Sequence, residues 1–158
     1  MLDVKRNLTT IMDFYELTMA AGYLEEGYED KISVFDMFFR KIPDGGGFAI
    51  MAGLDTFIDA VENLKFTPED IEYLRGTGVF NERFLDYLSH FELHCNIWAI
   101  PEGTPIFPRE PIVTVEGPSI ECQLLETLLL VTINHQCLVA TKANRIVRSA
   151  QGRPVMEF

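Results

Sequence analysis

Positive charge is what this sequence has least of: 13 Lys and Arg face 24 Asp and Glu in 158 residues, a formal net charge of −11. That scarcity argues against a nucleic-acid backbone or an anionic membrane as the main partner, since both are recognised through basic surface. The exception is the tail, where Lys142, Arg145, Arg148 and Arg153 meet only Glu157, so an anion site would draw on it. Cysteine is also sparse. Cys95, Cys122 and Cys137 are widely spaced with no C-x-x-C pair, which fits reduced, packed thiols in a cytosolic protein and not a disulfide framework. No apolar signal core follows Met1-Leu2-Asp3-Val4-Lys5-Arg6. The longest uncharged apolar stretch, Thr127 to Thr141, is too short for a bilayer and carries Asn134, His135 and Gln136. A soluble, cytoplasmic protein is expected.

Apolar material is plentiful. Hydrophobic residues make up 47% of the chain, and 12 Phe with 5 Tyr supply a core without help from a metal or disulfide. Thr9 or Thr10 can cap a helix running to about Glu26, with Met12, Tyr15, Met19 and Tyr23 at helical spacing and Gly27 at its end. Lys31–Arg40 reads as a strand apolar on both faces, hence a central one, delivering Arg40 and Lys41 to a rim. After the turn Pro43-Asp44-Gly45-Gly46-Gly47 come a short strand, Phe48–Met51, and a helix from Leu54 to Leu64 with the stripe Leu54, Phe57, Ile58 and Val61. Thr67-Pro68-Glu69-Asp70 opens a second helix that stops at Gly76, and a third starts at Asn81 and buries Phe84, Leu85 and Leu88. A strand over Leu93–Ile100 leads into short strands with proline corners up to Pro118. Between Pro118 and Gly152 there is no Gly or Pro, which predicts one long helix or two abutting ones. The last residues, Val155-Met156-Glu157-Phe158, read as the opening of a buried strand in an interrupted domain.

Few residues carry chemistry on pattern alone. His90 and His94, with Glu92 between them and Cys95 adjacent, lie where a helix gives way to a strand, so the four-residue spacing does not converge on a metal. His135 reads as a hydrogen-bonded core histidine, because no carboxylate lies within a turn to orient it. Gly45–Gly47 lacks the Lys-Ser/Thr of a phosphate loop and reads as a flexible turn. Lys142, Arg145 and Arg148 lie on one side of a helix, where they either bind an anion or complement the helix dipole. Arg40-Lys41 is the other candidate anion clamp, and Tyr15 is a core or rim aromatic.

Several stretches in fixed order give the chain a family likeness. They are Asp13-Phe14-Tyr15-Glu16-Leu17-Thr18-Met19, Phe38-Phe39-Arg40-Lys41 with Gly46-Gly47-Phe48, Ala99-Ile100-Pro101-Glu102-Gly103, Val115-Glu116-Gly117-Pro118, Leu125-Glu126-Thr127, Asn134-His135-Gln136, Ala140-Thr141-Lys142-Ala143 and Gly152-Arg153-Pro154-Val155-Met156-Glu157-Phe158. From about Leu8 to Phe158 the sequence resembles the N-terminal part of the nicotinate phosphoribosyltransferases, type II phosphoribosyltransferases. The resemblance implies an α+β fold: a hammerhead-like N-terminal domain over residues 1–118, then a connecting helix and the first strand of an incomplete α/β barrel over 119–158. The implied reaction joins nicotinate to phosphoribosyl pyrophosphate, giving nicotinate mononucleotide and pyrophosphate in NAD salvage. Mg2+ is required, and ATP hydrolysis drives the reaction through a phosphohistidine.

The same resemblance implies a homodimer whose site is built across the interface. Tyr15 is then the tyrosine that stacks on nicotinate in the neighbouring subunit, and Arg40 the arginine lent in trans to phosphate, roles that suit a flat aromatic face and a planar guanidinium. Asp13 would position the helix. No catalytic residue or metal ligand is expected within this chain, whose phosphohistidine and phosphoribosyl pyrophosphate loops would lie beyond Phe158, so these residues alone are expected to be inactive. Asp44 departs from the family, which often has an apolar residue there. Alternatives are a non-catalytic dimerisation or regulatory module, or a relative using nicotinamide or quinolinate. A lipoyl-type carrier is excluded because Leu93–Pro118 contains no lysine.

Overall fold

The structure is a computed structural model that describes residues 7–156. In chain order the elements are α1 (Phe14–Glu25), β1 (Ile32–Met37), a 3-10 turn (Pro43–Gly45), β2 (Ala49–Ile50), α2 (Leu54–Glu62), α3 (Pro68–Gly76), α4 (Glu82–Ser89), β3 (Asn96–Ala99), β4 (Pro105–Ile106), β5 (Val113–Pro118), α5 (Ser119–Leu124) and α6 (Glu126–Ala150). Strands β1, β5 and β3 form an antiparallel sheet in that order, and β2 pairs with β4 in a second, two-stranded one.

The sheet corrects the expectation of a central first strand. β1 lies at the sheet edge, and its outward Ile32 and Val34 are 64% and 59% exposed. The central strand is β5, whose Val113 and Val115 alternate with partly exposed Thr114 and Glu116. One face of this sheet is covered by helices, so β1 needs only Phe35 and Met37 inward.

Two cores result. Met37, Val113, Val115, Phe57, Leu128, Ile133 and their neighbours fill the space between the sheet, α2 and α6. Leu17, Leu24, Leu74, Phe84, Leu88, Ile120 and Leu124 knit α1, α3, α4 and α5 together. Leu64 and Leu93 pack against both.

Helix starts show which signals are local. α3 begins where the sequence places it, and Thr67 and Asp70 form a capping box: Thr67 Oγ1 accepts from Asp70 N, and Asp70 Oδ2 accepts from Thr67 N. α4 is capped by Asn81, whose Oδ1 accepts from Phe84 N at 2.9 Å. α1 starts at Asp13 and not at Thr9 or Thr10, because the buried Thr9 hydroxyl accepts from Lys65 N across the fold. α2 has no local cap. Gly53 enters it at φ 100°, and the Glu102 carboxylate accepts from Gly53 N at 2.7 Å and Leu54 N at 2.6 Å. Its buried face is Phe57 and Ala60, with Ile58 exposed.

Two abutting helices, α5 and α6, meet at Leu125. Together they span Ser119–Ala150, 32 residues whose length and hydropathy alone would suffice for a membrane span. Instead, 44% of that apolar window is buried against this protein's own core. His135 is on the exposed side of α6, which corrects its expected place in the core. Buried Thr141 receives Ile50 N at 2.8 Å and returns its own hydroxyl to Cys137 O, fastening β2 to the helix. Val155 and Met156 are exposed and not in a strand; Glu157 and Phe158, the rest of the expected strand, lie outside the described residues.

Candidate functional site

The first turn of α1 is tied to the first turn of α6 by one buried carboxylate. Glu16 has no exposed surface, and its Oε1 accepts from Thr127 N at 2.9 Å and from the Thr127 hydroxyl. Thr127 Oγ1 in turn receives Asp13 N at 3.2 Å. Burial pushes the Glu16 carboxyl above its ordinary value, with Thr127 pulling partly back. Its second oxygen, Oε2, is buried without a hydrogen-bond partner.

Because residues 16 and 127 are clasped, residues 15 and 126 come side by side. Glu126 faces the Tyr15 phenol, and this carboxylate, ahead of the burial, pushes the phenol up to about 12. Gln123 Nε2 donates to Glu126 Oε2 at 3.1 Å and steadies the carboxylate. Tyr15 itself is 43% exposed. Next to it, Glu126 joins Asp36, Phe35, Leu129 and Leu130 around a small cavity of about 140 Å³.

Arg40 lies past the end of β1 and is exposed. Among the described residues it makes no hydrogen bond or ion pair, and no such contact joins it to Tyr15. Phe39 O accepts from Arg109 N at 2.7 Å, which brings a second arginine to the backbone beside Arg40. Arg109 adopts φ 64°, a left-handed conformation set in the loop after β4. The rim that the sequence assigned to Arg40 and Lys41 thus gains Arg109, for which no local signal exists.

The tail cations split. Lys142 pairs with Asp44 at 3.1 Å and Arg145 reaches the same carboxylate at 3.8 Å. Asp44, the family departure, therefore fastens the glycine turn to α6, and at Gly46 even a Cβ would collide with the Arg145 guanidinium. Arg148 is exposed and makes no ion pair among the described residues. The histidine pair is also used structurally: His90 Nδ1 meets Asp86 O and Ser89 Oγ, while His94 meets the buried Glu121 through its backbone N and its Nδ1.

A family model described as nicotinate phosphoribosyltransferase (NAPRTase) N-terminal domain matches residues 10–134, a span that contains Tyr15, Glu16, Arg40, Arg109, Glu126 and Thr127. The chain belongs to this family. It is 44% identical over 146 residues to a nicotinate phosphoribosyltransferase of Mycobacterium tuberculosis, covering 92% of this chain and 31% of that protein. The Bacillus subtilis nicotinate phosphoribosyltransferase is 38% identical over 152 residues, 96% of this chain and 31% of its own length. Human nicotinic acid phosphoribosyltransferase superposes with a TM-score of 0.82 at 33% identity, over 91% of this chain and 29% of that one. A nicotinate-nucleotide pyrophosphorylase from Pyrococcus furiosus shares the fold, with a TM-score of 0.68 at 23% identity over 96% of this chain and 31% of that one. The chain spans about a third of the length of the curated relatives it matches.

Proposed function

We propose that this chain supplies the N-terminal domain of a cytoplasmic nicotinate phosphoribosyltransferase, joining nicotinate to phosphoribosyl pyrophosphate in NAD salvage. In this reading residues 1–118 form the hammerhead-like domain and residues 119–158 lead into the barrel. The enzyme is a homodimer and couples transfer to ATP hydrolysis, as a glycosyltransferase of ligase type. The observation that carries the reading is the exposed Tyr15 ring, fixed beside Glu126 by the Glu16–Thr127 clasp.

A flat aromatic acid is held by a rigid aromatic face, and a ring anchored through its helix loses little freedom on stacking. Glu126 and Asp13 flank Tyr15, so nicotinate stacks with its own carboxylate turned away from α1 and toward cations of the partner subunit. Arg40, with Arg109 beside it, offers guanidinium donors to a sugar phosphate across the interface. The described residues group no three His, Cys, Asp or Glu side chains for a metal, so Mg2+ and ATP would be held by other parts of the complete enzyme.

The test is Tyr15→Ala in the complete enzyme. Nicotinate use is expected to fall at least tenfold in kcat/KM while the melting temperature stays near that of the parent. Unchanged kinetics would remove Tyr15 from the site, and mononucleotide formation by the 158 residues alone would sink the composite-site reading.

A further inference from the structure

The Tyr15 and Arg40 site uses none of the three cysteines. Cys95, just ahead of β3, and Cys122, in α5, are 27 positions apart, yet their Sγ atoms stand 3.6 Å from each other. Gly117 on β5 makes room for this pair, because a Cβ there would come within 2.5 Å of Cys95 Sγ. Ser33 O, at 3.7 Å, holds the Cys122 thiol from the other side.

The two sulfurs differ in access. Cys95 is half-buried and lines an open groove with Leu64, Phe66, Phe91 and Ile97. Cys122 is buried and borders the small cavity beside β1. The remaining thiol, Cys137, is occupied elsewhere, donating to Ala52 O at 3.3 Å.

We propose that Cys95 and Cys122 form an oxidative cross-linking site, in which a hydroperoxide converts the thiol pair into an intrachain disulfide fastening the start of β3 to α5. Cys95, the sulfur that opens to the groove, attacks the peroxide oxygen. The O–O bond breaks, the peroxide is reduced to its alcohol or to water, and Cys95 becomes a sulfenic acid. Cys122 then attacks the Cys95 sulfur, the S–O bond breaks, and water leaves. Two thiols have given up two electrons and two hydrogens, and the peroxide has accepted both electrons. Burial and the neighbouring Glu121 carboxylate hold both thiols above their ordinary range, so thiolate is scarce and the bridge forms slowly. Once Cys95 is oxidised its partner is already in place, which favours ring closure over further oxidation.

Hydrogen peroxide applied to the native chain, followed by alkylation in denaturant and peptide mapping, tests this. Alkylatable thiols are expected to fall from three to one, with Cys95 and Cys122 peptides linked and Cys137 unmodified. In Cys122→Ser the same treatment should leave Cys95 as a sulfenic acid that dimedone captures. Survival of all three thiols, a bridge to Cys137 or to a second chain, or Cys95 driven to sulfinic acid with Cys122 still reduced would each overturn the proposal. The mapping of the parent chain stands whether or not the serine variant folds.

Discussion

Replacing Glu16 separates what its shape contributes from what its charge costs. In Glu16→Ala the Thr127 amide loses its acceptor at a partly buried position beside the fully buried Glu16 side chain. A stranded buried donor costs about 1–3 kcal/mol, and the lost side-chain methylene about 0.8 kcal/mol more. A residual cavity adds to this, so the alanine variant should lose about 2–4 kcal/mol. Glu16→Gln keeps a carbonyl oxygen for Thr127 and removes the charge, so at neutral pH it should be at least as stable as the parent. The pH dependence follows from the raised carboxyl. The folded state holds the proton more tightly than the unfolded chain does, so the contribution of neutral Glu16 is complete below the ordinary value of 4.5 and is lost as pH rises through the folded one. The advantage of glutamine should therefore be smallest in acid and grow toward neutral pH. Urea unfolding of the three proteins across that range is the assay. A glutamine variant as weak as the alanine one, or a parent that gains on glutamine as pH rises, would refute the account of Glu16 as a buried acceptor carrying an unwelcome charge.

Three further outcomes are expected. Glu126→Gln should lower the Tyr15 phenol from about 12 toward its ordinary 10, read as tyrosinate absorbance against a Tyr15→Phe background; an unmoved titration would disprove the pairing. Gly53→Ala should cost about 2–5 kcal/mol, combining left-handed strain with overpacking, because Gly53 has φ 100° and its Cβ would lie 2.7 Å from Thr132 O. By contrast Gly22→Ala, with no atom within 4 Å of the new methyl, should stabilise α1 by about 0.5–1 kcal/mol, and thermal melts that fail to separate these two variants would contradict the packing. Oxidation of Cys95 and Cys122 closes a loop of 27 positions and should raise stability by about 3.5 kcal/mol, reversed by reductant; a bridged chain that melts no higher would show native-state strain.

What could be read in advance was whatever a short stretch decides for itself. Thr67-Pro68-Glu69-Asp70 contains every group of its capping box, and Phe84, Leu85 and Leu88 declare one face of α4. Apolar residues on both faces of β1 do not say whether anything covers the second face, so its edge position is not legible from the strand itself. The exposure of His135 is equally hidden, because an apolar neighbourhood in sequence winds around a helix and puts some residues outside. At the candidate site, Arg40 stands out already as half of the Arg40-Lys41 anion clamp at a strand end, whereas Tyr15 is an ordinary aromatic on pattern alone and gains its role only from the family motif. Glu16 and Glu126 were missed because their partners lie on the other helix, the Glu16–Thr127 bond spanning 111 positions. Arg109 was missed for a related reason: its neighbour Phe39 is a backbone carbonyl, which carries no residue signature.

The Glu102 cap of α2 bears on the order in which the chain acquires its shape. The first amides of that helix are answered by a carboxylate 48 positions later, so during synthesis the segment leaves the ribosome well before its acceptor does. α2 is thus completed when the turn between β3 and β4 closes onto it, and a nascent chain halted short of Glu102 holds a segment with helical pattern whose first amides lack that acceptor.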